Sequence, residues 1–217
     1  MARSLAALAA VTDRDLVEET VVLAGRDLAV LRPRDTEALL DEQAFEHEEY
    51  LPYWAELWPS GVALAKRIAG RALHGARTLE LGCGLGLPSL AAAIAGGRVL
   101  ATDWAPHAIE LLRENAERNG IAIEAERVDW TEPAPIVDAA PWGVILGADL
   151  LYERRNADAL LRLLPRLASP ATDVWIADPG RPSAQRFLEQ VRDAFDVTSS
   201  ADPLLPQGGV HRLRRLP

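Results

Sequence analysis

The amino-acid sequence predicts a doubly wound α/β domain with a mostly parallel sheet. Three observations lead there. From Arg77 onward, short apolar runs alternate with segments of helical periodicity. A glycine-rich turn, Gly82-Cys83-Gly84-Leu85-Gly86, follows the first of those runs. An aspartate stands at or just beyond the end of each of the next four, at Asp103, Asp129, Asp149 and Asp178. Near-continuous apolar strands interleaved with helices imply a parallel sheet covered on both faces. With 217 residues, 49% of them hydrophobic, the chain can bury a sizeable core as one domain.

In chain order, the alanine-rich start (residues 1–11) reads as a helical or frayed terminus. Its apolar stretch is short, and Thr12-Asp13-Arg14-Asp15 is a poor signal-peptide cleavage site. Residues 20–24 and 28–31 read as strands of a hairpin around Gly25-Arg26-Asp27, and Asp35 can cap a short acidic helix through Gln43. Residues 50–61 are crowded with aromatics and broken by Pro52 and Pro59. Ser60 can cap a helix carrying Val62, Leu64, Ala65 and Ile68 at helical spacing. The chain thus divides into an N-terminal extension, residues 1–51, and a main domain, residues 52–217.

Within that domain, strands are expected at 78–81, 98–102, 121–128, 142–148 and 174–177. The helix after the glycine turn ends at Gly96-Gly97, and the next opens at Pro106 and stops at Asn119-Gly120. Two more helices are expected at 153–167 and 182–195. Residues 195–199 and 210–216 close the sheet as a hairpin-like pair turning near Gly208-Gly209, making seven strands in all.

In a doubly wound sheet, ligands bind beyond the carboxyl ends of the strands, where the strand order reverses. The strand-end aspartates fall at that place. Glycines at 82, 84 and 86 let the backbone turn tightly and approach a ligand without interference from Cβ; a purely structural turn is the alternative. A dinucleotide fingerprint needs its third glycine at position 87, where this chain has Leu87, which disfavours an NAD-dependent oxidoreductase. The turn also lacks the Lys and Ser/Thr of a phosphate loop. Asp103 can accept both hydroxyls of a ribose and repels a 2′-phosphate. Asp129 can accept from an adenine amino group, with Trp130 as apolar cover, or can simply cap a turn. Glu80 either supports the loop or meets an ammonium of the ligand.

Composition narrows the partners. A net charge of −9 argues against a protein held to nucleic acid by phosphate contacts. Arg212, Arg214 and Arg215 read as the exposed face of a last strand. His47, His74, His107 and His211 show no ligand spacing, so no metal is expected. No apolar run approaches the roughly 20 residues of a membrane-spanning helix. The one cysteine, Cys83, lies in the glycine turn and fits a reducing, cytoplasmic setting.

The spacing and order of these residues resemble class I, seven-strand, Rossmann-like methyltransferases dependent on S-adenosylmethionine (SAM), from about Pro52 to the C-terminus. Within them the chain is most similar to the protein lysine methyltransferases that modify the β subunit of electron-transfer flavoprotein, and to their bacterial relatives. Three stretches carry this: residues 53–61 (Tyr-Trp-Ala-Glu-Leu-Trp-Pro-Ser-Gly), Asp149-Leu150-Leu151-Tyr152, and Asp178-Pro179-Gly180-Arg181-Pro182. The resemblance implies a strand order 3-2-1-4-5-7-6 with the seventh strand antiparallel, and SAM as cofactor. It implies that Glu80, Gly82, Gly84 and Gly86 hold the methionine end, with Trp58 nearby and Cys83 also among the cofactor-binding residues. Asp103 and Trp104 would meet ribose and adenine, and Asp129 and Trp130 the adenine. Asp149 and Tyr152 would line the channel for an acceptor lysine of a protein substrate. No proline pair follows Asp149, which disfavours an amide or base-amino acceptor.

A lysine with a pKa near 10.4 must lose a proton before attacking, at a cost of roughly 4–5 kcal/mol at pH 7. A nearby carboxylate opposes that loss. Asp149 is therefore expected to orient the amine and stabilise positive charge developing on nitrogen, not to act as general base. For Asp149 the alternative is a cap of the following helix, for Tyr152 and Trp58 packing, and for Asp178 and Arg181 an ion pair pinning a loop. A SAM-dependent enzyme of small molecules and a non-catalytic nucleotide-binding module are the rival functions.

Overall fold

A computed structural model describes residues 15–36, 39 and 52–217. The alanine-rich start and nearly all of the helix expected from Asp35 to Gln43 lie outside the described residues. Two strands come first, β1 (Leu16–Leu23) and β2 (Arg26–Pro33), paired antiparallel around Ala24-Gly25. A 3-10 turn at Tyr53–Ala55 leads to helix α1 (Pro59–Ala69). Then follow β3 (Arg77–Leu81), α2 (Leu87–Ile94), β4 (Arg98–Asp103), α3 (Pro106–Arg118), β5 (Glu124–Arg127), α4 (Ala134–Asp138) and β6 (Val144–Ala148). A 3-10 turn at Leu150–Tyr152 precedes α5 (Arg154–Leu167), β7 (Asp173–Asp178), α6 (Pro182–Gln190), β8 (Phe195–Asp202) and β9 (Leu205–Arg215).

Strands β3 to β9 form one sheet in the order β5-β4-β3-β6-β7-β9-β8. All pairs are parallel except β7–β9 and β8–β9. Counted from β3 this is 3-2-1-4-5-7-6, as the resemblance implied. The chain steps outward from β3 through β4 to β5, then returns to β6 on the other side of β3. The switch point therefore lies beyond the ends of β3, β4 and β6.

The central strands are buried on both faces, which is why they read as continuous apolar runs. Ile145 of β6 packs with Leu79, Leu81 and Ile176 under the apolar stripe Leu160, Leu163, Leu164 and Leu167 of α5. Its neighbours Val144 and Leu146 face the other way, toward Leu64 and Ile68 of α1. The hairpin covers a third cluster: Leu28 and Val30 are fully buried with Leu111 and Leu112 of α3 and with Leu85 and Leu87.

Four expectations are corrected. Strand β5 starts at Glu124, not at residue 121, because the Gly120 amide bonds the Glu117 carbonyl and the Ile121 amide bonds that of Ala116. Those two bonds form a Schellman end to α3 and take Ile121 out of the sheet. Ser60 does not cap α1: Trp58 holds the cap position, Pro59 opens the helix, and the buried Ser60 hydroxyl has no partner among the described residues. Helix α6 stops at Gln190, and Phe195 already belongs to β8. Gly208-Gly209 lies inside β9, while the turn falls at Pro203-Leu204. A Cβ on Gly208 would stand 2.0 Å from the Asp178 carbonyl oxygen and 2.5 Å from the Gly180 nitrogen. The glycine is there so that β9 can pass against the loop after β7.

Candidate active site

The ends of β3, β4, β5 and β6 open into one cleft of ≈ 900 Å³, within the about 300–1,000 Å³ usual for small-ligand sites. Twelve of the residues singled out from the sequence line it: Trp58, Glu80, Gly82, Cys83, Gly84, Gly86, Asp103, Trp104, Asp129, Trp130, Asp149 and Tyr152; Asp178, the fourth strand-end aspartate, does not.

The glycine turn joins β3 to α2, and its three glycines all have left-handed φ. The space a side chain would need is taken by protein atoms. At Gly86 (φ +81°) a Cβ would lie 1.8 Å from Leu112 Cδ1, and at Gly82 2.5 Å from Leu150 Cδ2. Packing thus favours glycine at 82 and 86 in addition to the ligand approach expected of the turn. Cys83 is buried, and burial with the nearby carboxylates pushes its thiol well above the usual range.

Glu80 is 1% exposed, and its Oε2 has no hydrogen-bond partner among the described residues. Burial raises its pKa to about 8, the negative charge of Asp103 adds to the shift, and the Ser89 amide and hydroxyl at the start of α2 oppose it. Asp103 accepts the Gly84 and Ala105 amides, both at 2.9 Å. Its pKa is raised by burial, against the pull of those amides. Asp129 is exposed and closes its own turn: Oδ1 accepts the Thr131 amide at 2.8 Å and hydroxyl at 2.7 Å, which hold its pKa low. The turn-capping alternative for Asp129 is therefore real, and it coexists with a place in the cleft.

At the opposite side of the cleft stands Asp149, the residue after β6, in a left-handed conformation (φ +59°) that Asp tolerates better than most. It is 8% exposed. It does not cap α5, whose cap position is Glu153. Its Oδ1 pairs with Arg181 Nη1, and Oδ2 accepts no hydrogen bond from the described residues. Arg181 Nη1 also donates to Asp178 Oδ2 at 3.2 Å. Asp178 is fully buried and spends Oδ1 on the amides of Gly180 and Arg181, at 2.7 and 2.9 Å. The ion pair that pins the loop is present, and it places Arg181 in the cleft as well.

Tyr152 is 37% exposed, and its ring lies 5.1 Å from that of Tyr53, which in turn is 6.4 Å from Trp58. The Trp58 indole donates to the Tyr53 carbonyl at 2.7 Å. Burial raises the Tyr152 pKa, against a hydrogen bond with Asn156. Sequence reasoning missed Tyr53 and Asn156. The four-residue spacing of Tyr152 and Asn156 was a usable signal, whereas the meeting of Tyr53 with Tyr152 across the cleft left none.

Away from the cleft, Arg212 and Arg214 both pair with Asp173 of β7, and Arg215 donates to the Ala168 carbonyl at 2.6 Å, so these arginines tie β9 to its neighbours in the sheet. Among the described residues no group of three or more His, Cys, Asp or Glu is arranged to hold a metal. Among them, too, no helix is long and apolar enough to cross a membrane.

Residues 45–194 match the model of a family described as lysine methyltransferase. The chain belongs to that family. Among the relatives of this chain, the electron transfer flavoprotein beta subunit lysine methyltransferase of Xenopus laevis is 38% identical over 137 residues, 60% of this chain and 53% of the relative. The histone-arginine methyltransferase METTL23 of Mus musculus is 29% identical over 163 residues, 71% of this chain and 64% of the relative. The chain thus spans about half the length of the Xenopus relative. Among solved structures, the Thermus thermophilus 16S rRNA N2 G1207 methyltransferase in complex with AdoMet and guanosine superposes with a TM-score of 0.66 at 16% identity, over 93% of this chain and 51% of that one. Likeness at that identity speaks to the fold.

Proposed function

We propose that the protein is a SAM-dependent N-methyltransferase acting on lysine side chains of a protein substrate, with the electron transfer flavoprotein β subunit as first candidate. One observation carries this reading. A single cleft holds two buried carboxylates, Glu80 and Asp149, each with an oxygen that accepts no hydrogen bond from the described residues. A buried acceptor left unpaired costs about 1–3 kcal/mol, so each position is suited to a ligand donor. The family membership and the Xenopus relative's name support lysine as the acceptor.

The residues fit SAM. Glu80 Oε2 would take the ammonium of the methionyl end beside the glycine turn, with Trp58 closing that end. Asp103 keeps lone pairs for the ribose hydroxyls after serving two amides, and Trp104 and Trp130 would flank the adenine, with Asp129 Oδ2 near its amino group. When bound, SAM supplies a methyl group on a cationic sulfur. The chain's own residues bind, orient and exclude water. Asp149 Oδ2 accepts an N–H of the acceptor amine and so aims its lone pair. It also stabilises the positive charge that grows on nitrogen. The Tyr152 and Tyr53 rings present their faces to the alkyl stem and to that charge.

The METTL23 relative, named as a histone-arginine methyltransferase, favours arginine as the second reading. Incubation with methyl-labelled SAM and fractionated cell extract, followed by acid hydrolysis of the protein fraction, tests both. Labelled methyllysine is expected. Methylarginine would install the second reading, and label confined to small solutes would overturn both. A cytoplasmic location and a lack of nucleic-acid or membrane partners belong to the same proposal, supported by the lone unpaired Cys83 and the net charge of −9. Fractionation of cells expressing a tagged chain tests the location.

A further inference from the structure

Asp149 and Asp178 are neighbours because β6 and β7 run in parallel with Ala148 opposite Ala177, and the Asp149 amide donates to the Ala177 carbonyl at 2.9 Å. Two carboxylates brought this close repel each other. The loop that follows β7 returns one guanidinium to the gap, where Arg181 Nη1 touches both. That cluster carries one net negative charge. Arg181 is held there from behind: Asp178 binds the loop's amides, and Gly180 (φ +99°) lies so close to Gln207 and Gly208 of β9 that the loop has little room to shift.

Resting on the lysine-acceptor reading above, we infer that Arg181 is a positioning residue that sets the charge state of the acceptor amine. An uncompensated carboxylate at Asp149 would hold an incoming lysine as its ammonium, which has no lone pair and cannot react. Arg181 occupies Oδ1 and offsets that charge, so the ammonium gives its proton to water more readily. Asp149 Oδ2 remains to accept an N–H of the neutral amine. Other charged or titratable groups share the neighbourhood. Glu153 and Arg155 pair with each other, Tyr152 flanks the mouth, Glu80 and Asp103 stand at the glycine turn, and His211 lies on β9, within electrostatic reach of Asp178. Among the described residues, the Arg181 guanidinium is the cation that touches Asp149.

A lysine side-chain mimic tests this without any methyl transfer. n-Butylammonium is titrated at pH 7 into full-length protein saturated with S-adenosylhomocysteine, with chemical shifts as readout. Arg181→Gln is expected to bind it about tenfold more tightly than wild type, the equivalent of about one pKa unit. Arg181→Lys should stay near wild type, and Asp149→Asn should bind it more weakly. If Arg181→Gln fails to fold, Arg181→Met keeps the stem without the charge and carries the same expectation. Unchanged or weaker ammonium binding, with S-adenosylhomocysteine affinity retained, overturns the role. On a substrate that the enzyme methylates, the midpoint of the alkaline rise in kcat should move up by about one unit in Arg181→Gln, with the deficit shrinking as pH rises. A loss of equal factor at every pH would also overturn it. Because the butylammonium arm is indifferent to whether lysine is methylated, failure of the functional reading and failure of this one give different results.

Discussion

Asn115 and Leu31 exchange two hydrogen bonds, as paired strand residues would: the side-chain Oδ1 accepts the Leu31 amide at 2.7 Å, and Nδ2 donates to the Leu31 carbonyl at 3.2 Å. One turn later Asn119 repeats this with Ala29, at 3.0 and 2.7 Å. Helix α3 thus offers the open edge of β2 a substitute for a missing strand. Asn115 Nδ2 also donates to the Leu85 carbonyl at 3.3 Å, which ties the hairpin to the glycine turn through one buried amide.

Asn115→Leu keeps the branched shape of the side chain and leaves those backbone groups of Leu31 and Leu85 without their partner. A loss of about 2–4 kcal/mol in urea unfolding is expected, together with weaker binding of S-adenosylhomocysteine. A change below about 0.5 kcal/mol, the size of an ordinary surface substitution, would show that the amide bridge does not hold the hairpin.

Glu80, with its pKa near 8, is mostly protonated at pH 7 in the unliganded protein. A ligand ammonium favours the carboxylate, so binding should release a proton. Affinity for S-adenosylhomocysteine should rise from pH 6 toward 8, by up to about tenfold per unit, and level off above. Calorimetry in buffers of different ionisation enthalpy counts the proton, and Glu80→Gln should abolish the slope. The sign for stability is the reverse. The folded value lies above the unfolded one, so Glu80's contribution is fully present below about pH 4.5 and is lost as pH rises through about 8. Thermal melts of the unliganded protein should decline over that window, less steeply in Glu80→Gln.

Gly86→Ala meets two obstacles, a left-handed backbone and the Leu112 side chain. Together they should cost about 2–5 kcal/mol and weaken ligand binding. The double variant Gly86→Ala/Leu112→Ala makes room and should recover part of the ligand affinity. No recovery would mean that the backbone conformation alone carries the effect.

Asp149→Asn should leave SAM affinity within about twofold and lower kcat by about 10²–10³. Loss of SAM binding with the fold retained would instead assign Asp149 to the cofactor's side of the cleft.

Much of this architecture was readable because of burial. Strands β6 and β7 are apolar on both faces, so continuous runs such as Val144–Ala148 stood out, and the acids that ended them marked the edge of the core. The order of the strands left no local trace and came with the resemblance. What stayed hidden depends on contacts between distant segments. Ile121 has strand character, yet its amide is drawn into the end of α3. Gly208 looked like a turn residue because its neighbour across the backbone, Gly180, belongs to another loop. Arg181 could be paired with Asp178 from their three-residue spacing, whereas its contact with Asp149 follows from β6 and β7 lying side by side. The glycines of the turn were legible from their spacing, whereas the packing of Leu112 beside Gly86 and of Leu150 beside Gly82 was not.

The backbone contact between Gly180 and Gly208 makes β9, the inner of the two antiparallel strands, part of the machinery in an unexpected way. A methyl group added at position 208 would overlap the backbone of Asp178, Pro179 and Gly180, the loop that carries Arg181 to its two carboxylates, and is expected to displace it. In a random mutagenesis screen, such a change would score as a lesion of turnover, although the altered residue meets neither nucleoside nor amine.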